Sequence, residues 1–295
     1  MICPLKALKN VHMKKMILLF SVFCMMLAAE AQNQLNVMTF NIRLNHAGDS
    51  LNAWPHRKDM VASQILFHEA HLVGVQEALH MQMEELQQRL PGYKFAGVGR
   101  QDGKQGGEYS AIFYDTSRIE LLKTETFWLA EQTNIPGLKG WDAAIERVVT
   151  WAQFRDKKTN KTFYHFNTHF DHVGKIARKE SARLILDKIN EIAKDQPVIL
   201  TGDFNAKPTD EPILVLTDIN NPKHVIQSEA ISETPHYGPT GTFTGFQSKE
   251  TSNEPIDYIF IKNGIKVLKH ATLSQTWQGK FSSDHFPVFA VVEIK

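Results

Sequence analysis

Val198-Ile199-Leu200-Thr201-Gly202-Asp203-Phe204-Asn205 opens as a buried strand and closes as something else. Its first three residues form the apolar run of a core strand. The run then ends on a carboxylate and a carboxamide, polar groups that need partners once buried. Three other segments end the same way: Val37-Met38-Thr39-Phe40-Asn41-Ile42-Arg43, Val73-Gly74-Val75-Gln76-Glu77, and Phe281-Ser282-Ser283-Asp284-His285-Phe286-Pro287-Val288. Taken singly, Gly-Asp or Asp-His reads as a turn. Gln-Glu after a strand reads as a helix start, where Glu suits the dipole. Taken together and in order, the four are far more specific. A divalent cation is one partner that satisfies such groups, because Mg²⁺ takes hard oxygen ligands from one or two carboxylates and leaves room for water and phosphate.

Outward from these segments, strands are expected at residues 35–42, 72–76, 94–99, 110–115, 148–155, 162–168, 197–201, 257–261 and 287–294, from β-branched and aromatic content or period-2 alternation. Leu79, Met83, Leu86 and Leu90 make a helical stripe that Pro91-Gly92 stops, and Ala182, Ile185, Ile189 and Ile192 make another within residues 174–194. A third helix is expected at 54–69. Residues 103–107 and 249–254 read as surface loops, and Lys157, Lys158 and Lys161 as a hairpin turn. No repeat or linker divides the chain. The expectation is one domain of the α/β class, with two packed mixed sheets flanked by helices as an α/β/β/α sandwich.

The composition is globular, 42% hydrophobic and 22% charged over 295 residues. Lys14-Lys15, the apolar run 16–29 and Ala29-Glu30-Ala31 form a secretory signal peptide pattern. The run is short for a membrane span, and Phe23 stands before Cys24 where a lipoprotein signal wants a small residue. Met13 is a plausible start. Cleavage after Ala31 removes Lys6, Lys9, Lys14, Lys15 and Glu30, leaving residues 32–295 with 29 basic and 31 acidic groups. Both cysteines, Cys3 and Cys24, leave with the signal, so no disulfide is expected. Export to the periplasm or the medium, as a monomer without a membrane span, is the expectation.

The ordered signatures resemble the endonuclease/exonuclease/phosphatase superfamily over essentially all of residues 35–294. They are Asn41-Ile42-Arg43, Val75-Gln76-Glu77, Asn167-Thr168-His169, Gly202-Asp203-Phe204-Asn205, Ile256-Asp257-Tyr258-Ile259 and Ser283-Asp284-His285. The resemblance implies a four-layer sandwich with its site at one edge of the paired sheets, and a Mg²⁺- or Mn²⁺-dependent phosphoester hydrolase with one or two ions. It implies Glu77 as main metal ligand with Asn41 beside it and Asp284 completing the metal side. Asp203 would orient the attacking water, and Asn205 would hold a phosphate oxygen. His285, paired to Asp257, would sit beside the scissile phosphate. His169 would contact another phosphate oxygen, with Glu108 as its partner. Arg147 matches a substrate-facing Arg more loosely. A carboxylate behind an imidazole fixes its tautomer and raises its basicity. Whether such a dyad or Asp203 acts as base toward water stays open.

Other residues carry two readings. His169, Asp171 and His172 suggest zinc, but the oxygen-rich remainder favours Mg²⁺ or Mn²⁺, and Asp171 and His172 then shape the substrate pocket. Arg100 reads as a phosphate ligand or a solvated loop residue. Trp54, Trp128 and Trp141 read as core more readily than as base-stacking platforms. The substrate itself is less legible. Signatures of inositol-polyphosphate phosphatases and bacterial sphingomyelinases are absent, and Asn167-Thr168-His169 looks more like the deadenylase and exonuclease branch. The slightly acidic balance argues against long duplexes. The substrate is therefore expected to be a small phosphoester or a short single strand. A 3′–5′ exonuclease or endonuclease on single-stranded RNA or DNA is the rival enzyme, and a non-catalytic binding module the rival from another class.

Overall fold

Alternation along the strands sorts side chains into an outer and an inner set, and the two sets explain the layers. The computed structural model describes residues 33–247 and 253–295. Twelve strands lie among them: β1 Gln34–Asn41, β2 Leu72–Ala78, β3 Tyr93–Ala96, β4 Tyr109–Asp115, β5 Ile119–Trp128, β6 Val148–Asp156, β7 Thr162–His169, β8 Val198–Asp203, β9 Ile226–Gln227, β10 Asp257–Lys262, β11 Ile265–Thr272 and β12 Val288–Ile294. They form two six-stranded sheets, ordered β11-β12-β1-β2-β4-β3 and β5-β6-β7-β8-β10-β9. Both are mixed: β1–β2 and β7–β8 run parallel, while β11–β12, β2–β4, β3–β4, β5–β6, β6–β7, β8–β10 and β9–β10 run antiparallel.

The helices are α1 Lys58–Phe67, α2 His80–Arg89, α3 Lys175–Ile192 and α4 Glu211–Thr217. Met38, Phe40, Val73 and Phe113 on one sheet's outer face pack with Val61, Ile65, Met83 and Leu86 of α1 and α2. Trp151, Phe166, Leu200 and Phe260 on the other outer face pack with Ile185, Ile189 and Ile213 of α3 and α4. Between the sheets, Leu35, Val37, Leu72 and Ile112 meet Phe154, Phe163, Ile199 and Ile259. The four-layer α/β/β/α sandwich is therefore observed. No helix of the described residues is long and apolar enough to cross a membrane. The signal segment 1–31, and residues 249–252 of the expected loop 249–254, lie outside the described residues.

The inner face changes character along every central strand. β1 reads Leu35, Val37, Thr39, Asn41, β7 reads Phe163, His165, Asn167, His169, and β8 reads Ile199, Thr201, Asp203. Apolar residues give way to polar ones toward a single end, where Asn41, His169 and Asp203 lie. The middle layer is hydrogen-bonded across the sheets. Gln76 Nε2 donates to Thr39 Oγ1 (3.0 Å) and to Asn167 Oδ1 (2.7 Å), and Asn167 Nδ2 donates to Val75 O and Ala111 O. Thr201 Oγ1 donates to Asn167 Oδ1 at 2.9 Å. This layer lies against Gly74, where a Cβ would run into Thr201 Oγ1 and Asn167 Oδ1. Gly74→Ala is therefore expected to lower stability by about 1–3 kcal/mol, the cost of overpacking a filled core. Thermal unfolding reads this, and an unchanged melting temperature would contradict the close approach.

Three strands lie outside the expected set, β5, the two-residue β9 and β11, and all are sheet edges. The middle of β5, Lys123-Thr124-Glu125, is exposed and charged, and β11 carries a register shift between Val267 and Lys269. Edge strands break the apolar alternation that marks central ones. The expected helix 54–69 divides: Trp54–His56 is a 3₁₀ turn with Pro55 in its first positions, and α1 begins at Lys58. Strand 94–99 ends early, at Ala96. The turn at Lys157, Lys158 and Lys161 joins β6 to β7 as expected.

Candidate active site

Strand geometry alone would send neighbouring side chains to opposite faces, so grouping the polar ends needs backbone irregularity. β2 supplies one. Its pairing with β4 shifts register between Val75 and Ala78, and Glu77 adopts φ 63°. This bulge turns Glu77 toward the same cleft as the residues of β8. Arg43 (φ 58°) and Asn205 (φ 46°) make similar departures just past β1 and β8. Left-handed backbone costs a non-glycine residue of the order of 1–3 kcal/mol and concentrates at working sites.

Register does the rest. β7–β8 pairing sets His169 opposite Asp203, and β8–β10 pairing sets Asp257 opposite Asp203. Asn41 lies at the centre, with no exposed surface. Its Nδ2 donates to Asp203 Oδ2 (2.9 Å) and to Glu77 Oε1 (3.0 Å), and lies 3.5 Å from His285 Nε2. Its Oδ1 accepts the Arg43 N–H at 3.0 Å. Asn41 was expected as a metal ligand. Here its Oδ1 accepts a backbone N–H while its Nδ2 positions two carboxylates.

His285 Nδ1 sits 2.9 Å from Asp257 Oδ2, which also accepts from Thr242 Oγ1 at 2.6 Å. Its Nε2 faces Asp203 Oδ2 at 3.8 Å. Burial opposes a charge on His285, but Asp257, Asp203 and Asp284 together outweigh it and raise its pKa well above the usual imidazole range. His169 is the opposite case. Burial and the nearby Arg147 and Arg100 charges hold it well below that range. Two imidazoles with opposite charge preferences face one cleft, the pattern that separates an acid from a neutral donor. Burial, reinforced by Asp257, pushes Asp203 up to about 7, and burial likewise raises Asp284.

The cleft is about 450 Å³ and is lined by Glu77, Asp203, Asp284 and His285 on one side and by Glu108, Arg147, His169 and Asn205 on the other. Asn205 Nδ2 donates toward His169 Nε2 at 3.0 Å, and the Asn205 N–H donates to Asp203 Oδ1 at 2.9 Å. The expected Glu108–His169 pair is not formed. Glu108 is taken by Arg100 through two bonds of 2.7 and 2.9 Å, because a guanidinium fork matches a carboxylate better than one imidazole N–H. Arg100 is consequently no phosphate ligand in this structure. It is 8% exposed, off the cleft wall, and also 3.4 Å from Glu146. Asp171 is off the wall too. Its Oδ1 accepts N–H bonds from Val173 (2.9 Å) and Gly174 (2.7 Å), shaping the turn into α3, and Oδ2 lies 3.6 Å from Arg147 Nε. Those N–H bonds overcome burial and lower Asp171 to about 2. His172 does line the cleft, with Nδ1 3.1 Å from Arg147 Nη2. His169, Asp171 and His172 do not converge as a zinc group among the described residues. Trp54 and Trp128 are core residues, donating to Glu85 and to Arg100 O.

Comparison with known proteins follows this geometry. The model of the endonuclease/exonuclease/phosphatase family matches residues 38–285. The chain belongs to the endonuclease/exonuclease/phosphatase family. It is similar to the solved endonuclease/exonuclease/phosphatase from Bacteroides vulgatus, with 40% identity and a TM-score of 0.85 over 89% of this chain and 99% of that one. It is also similar to a mannosyl-6-phosphatase from Bacteroides thetaiotaomicron VPI-5482, with 34% identity and a TM-score of 0.83 over 88% of this chain and 99% of that one. Protein angel of Drosophila melanogaster is 28% identical over 228 residues, 72% of this chain and 60% of that protein. Members of the endonuclease/exonuclease/phosphatase family are metal-dependent hydrolases of phosphoric esters, and this chain is an enzyme of that class.

The donor set of this family member fits a hard divalent cation. Glu77 and Asp284 converge on the cleft, with Arg43 alone between them at 3.8 Å from each. Glu77 helps raise Asp284, so the two carboxylates repel and a cation would relieve both. Several supports escaped the sequence reading. Arg57 is 1% exposed and donates to Ile42 O and Ser282 O, both at 2.7 Å, tying the Arg43 and Asp284 loops together. Arg43 pairs with Asp49 (2.9 and 3.0 Å). Asn41-Ile42-Arg43 offered a signal for Arg43, whereas Arg57 has none, since its partners are backbone carbonyls 5 to 225 residues away.

Proposed function

We propose that this chain is an exported phosphatase for small phosphomonoesters, with sugar phosphates as the substrate class. The His285–Asp257 dyad facing Asp203 across a cleft of small-molecule size carries the reading. In it, Glu77 and Asp284 hold a Mg²⁺ or Mn²⁺ ion, and Asn41 aligns Glu77. When bound, such an ion supplies charge neutralisation at the phosphate. Asp203, itself held by Asn41 and the Asn205 N–H, orients the attacking water. Protonated His285 donates to a non-bridging oxygen, and Asp257 keeps its ring turned to the cleft. Arg147 donates to a remaining oxygen, while His169 and Asn205, bonded to each other, line that end of the cleft. Arg147 suits this role because its Nη1 is buried without a hydrogen-bond partner, and a phosphate would satisfy it.

The 34% likeness to a mannosyl-6-phosphatase supports the sugar phosphate class. Export is supported by the signal pattern at residues 14–31, and amino-terminal sequencing of the released protein should begin at Gln32. The test of substrate class is a panel at low salt with Mg²⁺ or Mn²⁺: p-nitrophenyl phosphate, bis-p-nitrophenyl phosphate, hexose phosphates, mononucleotides, and single-stranded RNA and DNA. A hexose phosphate is expected to show a kcat/KM about a hundredfold above the diester, because a monoester brings an additional anionic oxygen to the buried Arg147 donor that a second ester group cannot supply. Preference for a single strand would replace this reading with the nuclease. No turnover of any phosphoester would leave a binding module.

A further inference from the structure

Glu229, His236 and His270 lie outside the cleft, each with one ligand-type atom within 4.8 Å of the others. They come from three stretches of chain. Glu229 starts a 3₁₀ turn after β9, His236 lies in the segment that follows, and His270 is on edge strand β11. Backbone pairing holds the two histidines side by side. The Tyr237 N–H donates to His270 O at 3.1 Å, and the Thr272 N–H donates to Tyr237 O at 2.8 Å.

The protons between the rings can be counted. His236 Nε2 is 3.1 Å from Pro239 O, which only accepts, so Nε2 carries the hydrogen. Nδ1 of the neutral ring is then a lone pair, and it points at His270 Nδ1 from 2.8 Å. An imidazole whose far N–H is tied to a backbone carbonyl is held as metal-bound histidines are held. His270 is 6% exposed. Burial, with His236 alongside, pushes it down to about 3, so it is a neutral ring.

We propose that Glu229, His236 and His270 form a second cation site, for a zinc-class divalent ion, with two imidazoles and one carboxylate as ligands and water completing the shell. Nitrogen donors distinguish it from the all-oxygen pair Glu77 and Asp284, so the two sites select different ions. Its place in the fold assigns it a task. The segment running on from His236 carries Thr242, which donates to Asp257, and Phe243, whose ring packs on His285 at 5.0 Å. Thr244 follows, and its N–H donates to Asp284 O at 2.7 Å. A cation joining His236 to His270 clamps this segment to β11 and steadies three contacts to the catalytic cleft. A small internal cavity lined by Glu229 and His270 also reaches Thr242 and Asp257, so the clamp and the dyad share one wall.

The test is Zn²⁺ binding to the purified, metal-stripped chain, by calorimetry and by the visible absorption of Co²⁺ in its place. The parent carries Glu77→Gln and Asp284→Asn, so that the cleft does not compete. We expect it to bind about one equivalent of Zn²⁺ and to show tetrahedral Co²⁺ bands. Adding His236→Gln or Glu229→Gln is expected to weaken Zn²⁺ about tenfold or more and to remove the bands. Adding His285→Asn in their place leaves both readings unchanged. His236 and Glu229 are only half-buried, and two separate conservative changes, each checked by circular dichroism, keep misfolding from deciding the outcome. No binding by the parent, or a loss below tenfold in both variants, overturns the proposal and leaves a plain hydrogen bond between two rings.

Discussion

Turnover by His285→Ala is expected to fall about a thousandfold, roughly 4 kcal/mol of transition-state stabilisation, with the fold retained. The size follows from its position. His285 is 4% exposed and bonded on one side to Asp257, while the other nitrogen faces Asp203 and the cleft. A donor held this way costs no reorganisation when charge develops on a phosphate oxygen. Single-turnover kinetics beside circular dichroism separates lost chemistry from lost structure, and wild-type turnover would remove His285 from the site. Asp257→Asn gives the companion measurement. In the metal-free chain, the imidazole titration of His285 followed by NMR should shift to lower pH, because Asp257 is the foremost group favouring its charge. A raised folded pKa contributes stability that is complete below the unfolded value near 6.5 and fades as pH climbs through the folded one. Wild type should therefore lose more of its stability than Asp257→Asn on going from acid to alkaline pH.

Removal of divalent ions is the second large effect. EDTA is expected to abolish turnover, and Mg²⁺ or Mn²⁺ to restore it. Glu77→Gln should raise the ion concentration for half-maximal activity about tenfold or more, about 1.4 kcal/mol or above. Glu77 and Asp284 bring two negative charges to one wall, and Arg43, already bonded to Asp49, meets each of them only at 3.8 Å. An ion neutralises that excess and the phosphate together. The same variant separates the two cation sites, since Glu77→Gln leaves Glu229, His236 and His270 unaltered. Full activity in EDTA would contradict the assignment of Glu77 and Asp284.

Much of this was legible along the chain. Central strands announce themselves by their apolar content, as in Val198–Leu200, where both faces are buried. Edge strands β5 and β11 did not, since exposure of one side admits Lys and Glu. The polar strand ends stood out because Asp203 and Glu77 interrupt apolar runs. Pairings were harder. Glu108 and His169 were coupled on paper by their types, but Arg100 lies eight residues from Glu108 and reaches it with two bonds. Asp171 was legible as an unusual carboxylate, yet its partners turned out to be the N–H groups just ahead of α3.

The order of residues by itself determined the family, the layered class and the identity of the groups that crowd one sheet edge, because apolar periodicity and local motif chemistry are properties of neighbours in sequence. Only the tertiary structure decided who bonds to whom. The bulge at Glu77, the buried Arg57 that ties two distant loops, and the bridging of Glu77 and Asp203 by Asn41 Nδ2 all depend on contacts between segments far apart in the chain. Hydrogen-bond partners in a buried site are set by distance and direction, and folding supplies both.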